Sequence, residues 1–160
     1  MGNPVLCITH HAAMEYCRWL SKKTRKYYRL PTEAEWEWAC RAGTTTAYSF
    51  GDDAGQLGDY AWFEKNSDDV AHKVGKKKPN PWGLYDMLGN VWEWTGDWYG
   101  EDYYAHSPEK DPPGPEDANV KVRRGGAWNT FPLYARCSYR NWNSRTTRCI
   151  NLGFRVVREE

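Results

Sequence analysis

Thiols and imidazoles are the side chains best able to bind a soft or borderline metal or to attack as nucleophiles, so their spacing in the sequence matters first. The 160-residue chain has five cysteines, Cys7, Cys17, Cys40, Cys137 and Cys149. The number is odd and no CxxC pair occurs, so they write neither a complete disulfide framework nor a zinc ribbon, and reduced thiols are expected. Of His10, His11, His72 and His106 only the first two are adjacent. Neighbours on a helix point about 100° apart, a poor start for joint metal ligation. Thr32 and Glu35 carry chemically able groups too, but Thr-x-x-Glu ahead of an apolar stripe is the capping-box spacing, in which both side chains serve backbone N–H groups.

The elements that would position such groups are readable in part. Ala13, Tyr16, Cys17 and Leu20 fall at i, i+3, i+4 and i+7, which predicts an amphipathic helix from after Thr9 to about Thr24. A second helix should begin at Thr32, bury Trp36, Ala39 and Cys40, and end at Gly43. Beyond it glycine and proline recur too often for another long helix, and short strands are expected at VWEWT (91–95), VKVRR (120–124) and FRVV (154–157). The polar, Pro-rich stretch 105–119 reads as a surface excursion within one domain spanning 1–160.

Composition narrows the class. Ten Trp and eleven Tyr predict a core rich in aromatic rings and short of aliphatics. With 22 Lys+Arg against 21 Asp+Glu, nothing in the overall balance calls for nucleic acid or an anionic membrane surface as partner. The opening MGNPVLCITHH has no basic segment followed by an apolar stretch, and no run approaches the roughly 20 apolar residues of a membrane span. The expectation is a monomer without export signal or membrane insertion, made in the cytoplasm and attached to a virion or cell surface only through a partner.

Four stretches, YRLPTEAEWEWACRAG (28–43), NPWGLYDMLGNVWEWTGDWY (80–99), RRGGAW (123–128) and NLGFRVV (151–157), resemble the domain of formylglycine-generating enzymes, the sulfatase-modifying factors. The resemblance implies an α+β, C-type-lectin-like fold, with two helices around small twisted antiparallel sheets and much irregular backbone. It also implies a test of chemistry, because oxidases of the family engage copper through two cysteines five residues apart shortly after the Gly-Gly pair. Here Thr130 and Ala135 stand at those places, and neither can carry a thiolate. Iron-dependent sulfoxide synthases resemble this domain too, but take their ligands from histidines of an added helical bundle absent from this chain. Calcium-binding members use oxygen donors from the stretch that here reads DMLGNVWE, so the resemblance makes Asp86, Gly89, Val91 and Glu93 candidates for a structural calcium site, with no cofactor required for activity.

Residues 124–155 are also similar to the terminal segment of the variable proteins of diversity-generating retroelements. In that branch, scaffold residues, here Gly125, Gly126, Trp128, Arg136, Arg140, Arg148, Gly153, Phe154 and Arg155, hold freely substituted positions that form a ligand-binding face. The positions between them are Thr130, Phe131, Leu133, Tyr134, Asn141, Trp142, Asn143, Ser144, Thr147, Cys149 and Ile150, with neither helix nor strand period over their length. Rigid aromatics mixed with small polar side chains suit recognition of a protein or other surface ligand. The expectation is a non-catalytic binding module. The alternative is a copper-dependent formylglycine-generating oxidase or an inactive regulatory homologue of one.

Overall fold

The structure, a computed structural model, describes residues 2–159. Helix α1 (His10–Thr24) starts where the sequence predicts, because Thr9 leaves the helix path and its hydroxyl accepts the Ala12 amide at 3.1 Å. Its buried stripe is narrower than the periodicity suggests. Ala13 and Cys17 are buried, joined by His10, whereas Tyr16 lies exposed on the flank, edge-on to Phe154. Helix α2 (Glu33–Arg41) carries the complete capping box: Glu35 N donates to Thr32 Oγ1, and Thr32 N donates to the Glu35 carboxylate at 2.8 Å. It stops one residue before Gly43, at a left-handed Ala42 whose amide returns to Trp38 O.

Between the helices β1 (Tyr27–Arg29) pairs antiparallel with β6 (Val157–Glu159). The larger sheet has the order β4-β3-β2-β5, from β2 (Trp92–Trp98), β3 (Lys121–Arg124), β4 (Asn141–Asn143) and β5 (Leu152–Phe154). Two single-turn helices, α3 (Leu57–Tyr60) and α4 (Tyr103–His106), and two 3-10 turns complete the elements. The expected α+β architecture is present, with two corrections. The sheet is mixed, since β5 runs parallel to β2, and the apolar run at 154–157 divides between β5 and β6 with Arg155 and Val156 between them. Strands β1 and β4 were not legible, because three residues are too few to show a period of two.

Paired residues of neighbouring strands share a face of the sheet. On one face Trp92, Trp94 and Leu152 pack with Ala13, Cys17 and Leu30 beneath α1. On the other, Glu93 and its partner Arg124 meet α2, next to a second core of Trp36, Cys40, Tyr48, Leu57, Met87 and Cys137. Aromatic rings enter both cores, as composition predicts, Trp92 and Trp94 in the first and Trp36, Tyr48 and Phe63 in the second. The turn into the C-terminal segment is fixed by Gly125, at φ +98°, where an added Cβ would lie 3.0 Å from the Trp36 ring and 3.1 Å from Met87 O.

Candidate functional site

The C-terminal segment is held at three places. Arg124, fully buried, donates to Cys137 O at 2.7 Å and bridges Glu33 and Glu37 of α2. Arg140 adds a two-pronged pair to the same Glu33, at 2.8 and 2.9 Å, and caps the Tyr99 and Tyr104 rings. Arg155 grips both oxygens of Glu93, at 2.5 and 2.7 Å, while Trp36 Nε1 donates to the same carboxylate at 2.7 Å. These neighbours hold the Arg140 and Arg155 guanidinium groups firmly charged despite their burial. Buried pairs of this kind cost desolvation and are strongly destabilising to break on one side.

Of the expected scaffold residues, Gly125, Gly126, Trp128 and Gly153 are buried, and Arg140 and Arg155 make the ties just described, with Phe154 half-buried. Arg136 and Arg148 are exposed instead, since the 3-10 turn at Pro132–Ala135 and the loop before β5 turn them to solvent. Arg124, Glu33 and Glu37 were missed. Their signal was present, because Glu33, Trp36, Glu37 and Cys40 follow one helical stripe, and two carboxylates on an apolar stripe demand buried cations.

None of the eleven expected ligand-binding residues is buried, and they divide into two kinds. Phe131, Leu133, Trp142, Ser144 and Ile150 are exposed, Phe131 by 59% and Ile150 by 64%. The others are half-buried and engaged within the chain. Thr130 Oγ1 accepts the Ala127 amide and returns to Ala127 O, both at 2.9 Å, closing the turn after Gly126. Tyr134 stands edge-on to Tyr139 at 4.9 Å, against Trp92. Asn143 Oδ1 accepts from Ser144 N and Thr147 Oγ1, and Cys149 O accepts the Cys7 amide. The pleat also splits β4. Asn141 and Asn143 pair with Arg123 and Lys121 on the α1 face of the sheet, while Trp142 pairs with Val122 on the α2 face and leans toward Tyr99. The eleven therefore do not form one flat patch, because alternate residues of a strand point opposite ways.

At the family's thiolate positions, Thr130 is tied into its turn and Ala135 is buried. The thiols that do come together are Cys40 and Cys137, with sulfurs 3.3 Å apart in the α2-side core, where burial pushes the Cys40 thiol up. His10 is buried with Nε2 2.8 Å from Thr95 O, and desolvation lowers its pKa to about 4. His72 stacks on Trp62 at 3.8 Å. Among the described residues no three His, Cys, Asp or Glu side chains gather as a metal site.

Asp86, Val91 and Glu93 line one cavity of about 280 Å³, from whose lining Gly89 is absent. Gly89, at φ +71°, packs so tightly on Trp62 that an added Cβ would meet its carbonyl oxygen at 2.2 Å. Asp86 Oδ2 accepts the Gly75 amide at 2.7 Å, but Oδ1 is buried without a hydrogen-bond partner. Desolvation, with the charge of Glu93, holds the Asp86 carboxyl above its usual range. An orphaned carboxylate oxygen beside a second carboxylate fits a hard cation, although Arg155 already supplies one positive charge to Glu93.

The profile of the Sulfatase-modifying factor enzyme 1-like domain matches residues 2–160. A formylglycine-generating enzyme of Streptomyces coelicolor is 36% identical over 99% of this chain, which spans 53% of that protein. The serine/threonine-protein kinase pkn1 of Chlamydia pneumoniae is 37% identical over 98% of the chain, which spans 24% of it. The solved structure of Treponema denticola variable protein 1 superposes with a TM-score of 0.93 at 33% identity, covering 97% of this chain and 70% of that one. The chain thus spans about half or less of the curated relatives it matches, and it belongs to the family of sulfatase-modifying factor enzyme 1-like domains.

Proposed function

We propose that this domain is a non-catalytic ligand-binding module, of the variable-protein kind, whose recognition surface is built from the exposed part of residues 129–150. The observation that carries this reading is the filling of the two thiolate positions. Thr130 spends its hydroxyl on the Ala127 turn and Ala135 is buried, so the face that would bind copper through sulfur presents none. What the segment does present is Phe131, Leu133, Trp142 and Ile150, large apolar groups held on a rigid base and suited to a protein or other surface ligand. The scaffold supplies what a recognition face needs, because the buried arginine ties fix the backbone independently of those side chains.

In the same reading calcium is structural. Asp86 and Glu93 with the Val91 carbonyl would hold it, without Gly89, and it would neutralise the uncompensated Asp86 carboxylate. None of the helices among the described residues is long and apolar enough to cross a membrane. The test is incubation with copper, reductant and a cysteine-containing sulfatase peptide. The expected result is unchanged cysteine, and copper-dependent formylglycine above background would replace the binding module by the oxidase named among its relatives.

A further inference from the structure

Between Asp117 and Glu159 the chain has no carboxylate but nine cations. Arg124, Arg140 and Arg155 among them take the buried glutamates of α2 and β2. Arg123 has no such partner. Among the described residues no carboxylate lies within ion-pair distance of it, and its Nε meets only Asn141 Oδ1, at 3.4 Å. Yet its guanidinium is half-buried over the Trp92 ring, 4.7 Å from the centre, and burial pulls its pKa below the usual guanidinium range. Its two terminal nitrogens carry no hydrogen bond within the described chain and open to solvent. A charge held in this way has lost part of its hydration with nothing in the chain to offset the loss.

Other unused donors stand around the same indole. The Tyr134 and Tyr139 rings lie 6.4 and 6.3 Å from Trp92 and edge-on to one another at 4.9 Å. Arg123 and the Tyr139 hydroxyl are near enough for each to bear on the other's titration, as are the Tyr139 and Tyr134 hydroxyls, and the Cys149 thiol bears on Arg123. Arg123, Tyr139, Tyr134 and Cys149 therefore share one surface, on the α1 face of the sheet where Asn141 pairs with Arg123. Exposed apolar groups adjoin it, because Leu133 precedes Tyr134 and Ile150 follows Cys149. Their two loops are tied together by Asn151 Nδ2 on Asn129 Oδ1, at 2.8 Å, and by Trp128 Nε1 on Ile150 O.

We propose that this surface is the anchor for an acidic protein partner, whose Asp or Glu side chain takes the free nitrogens of Arg123 and the Tyr139 hydroxyl above Trp92. Apolar residues beside that carboxylate in the partner lie against Leu133 and Ile150. The inference rests on the reading of this segment as a recognition face, and it names the partner's chemistry and two contact residues, Arg123 and Tyr139, outside the eleven positions. A neutral ligand would cover the guanidinium and leave it uncompensated. A polymer of phosphates calls for a row of free cations, whereas one planar fork between phenol rings matches one carboxylate. The segment's unbroken positive charge would steer an acidic partner toward it and repel a basic one.

The experiment is a selection of displayed random twelve-residue peptides on the folded domain, followed by anisotropy titration of an enriched peptide made with a fluorescent label and an amidated C-terminus. Enriched peptides should carry Asp or Glu beside a large apolar residue. Arg123→Gln should weaken binding at least tenfold. Tyr139→Phe, which keeps the ring packing, should weaken it about threefold. Changing the peptide's carboxylate to its amide should cost as much as Arg123→Gln, and both changes together little more than either. Arg158→Gln removes an exposed cation on β6 and should change affinity by less than about twofold. Thermal melts of the variants check that they fold. Acidic peptides that bind the Arg123→Gln domain equally well overturn the anchor. Enrichment of peptides without a carboxylate, lost when Phe131, Leu133, Trp142 and Ile150 become alanine, overturns the anchor and leaves the recognition face standing. No enrichment beyond that on an unrelated protein counts against both.

Discussion

Residues 124–155 pass repeatedly between two kinds of surroundings within one segment. At Arg124–Trp128, Ala135–Cys137 and Leu152–Arg155 the chain lies against α2 or the sheet, and Arg124 and Arg155 are paired across 91 and 62 residues of sequence, with Glu33 and Glu93. At 129–134 and 141–150 the side chains of Thr130, Thr147 and Ser144 bond locally, to Ala127, Asn143 and Thr146, while backbone bonds from Glu64 to Thr130, His10 to Arg145 and Cys7 to Cys149 carry the long-range ties. Bonds of long range fix where the backbone runs, and bonds of short range only fix the shape of each loop. A segment built this way can change its exposed side chains without losing its course, which is what a recognition face requires.

The comparison is broken most easily at its fixed half. Arg124→Ala leaves Glu33 and Glu37 without their shared buried cation, and should lower unfolding free energy by about 3–5 kcal/mol in a denaturant titration. A loss below about 1 kcal/mol would mean that the tie does not organise the segment.

The next effect is on pH dependence. Burial lifts the Asp97 carboxyl from 3.8 to about 7, so the native state holds its proton more tightly than the unfolded chain, and this contribution to stability is lost as pH rises from about 4 to 7. His10 acts in the opposite direction, since burial lowers its pKa from 6.5 to about 4 and its contribution is lost as pH falls through that window. The two should offset one another between pH 4 and 6.5. Asp97→Asn keeps an acceptor for the Glu33 amide, now 2.6 Å from Asp97 Oδ2, and removes one side of the balance. Its melting temperature should fall on acidification from pH 6.5 to 4 more steeply than the parent's, and parallel profiles would refute the assignment.

Calcium gives a smaller effect. If Asp86 and Glu93 hold it, free calcium at ten times its Kd should add about 1.4 kcal/mol and raise the melting point, and Asp86→Ala should abolish the rise. Equal melts with calcium and with chelator remove the ion from the account. The smallest change is expected from the exposed half of the comparison: Phe131, Leu133, Trp142 and Ile150 replaced together by alanine should stay within about 1 kcal/mol of the parent in the same titration. Adding Tyr134→Ala should cost more, because its ring packs on Trp92 and Tyr139.

Local patterns in the sequence determined the two helices and their caps, since a capping box and a 3.6-residue stripe involve only residues within a turn or two of one another. Motifs were enough for the family and the α+β class as well. Other features were decided only by the tertiary structure. Strands β1 and β4 exist because β6 and β3 offer them partners, and β5 is parallel to β2 because the segment returns beside it in the same direction. The candidate face was legible as a set of positions, but its division was not: which side of β4 Trp142 takes depends on its register against Val122. The pairing of Glu33 with Arg124 and Arg140 was likewise invisible, because a buried charge announces that it needs a partner but not where in the chain that partner lies.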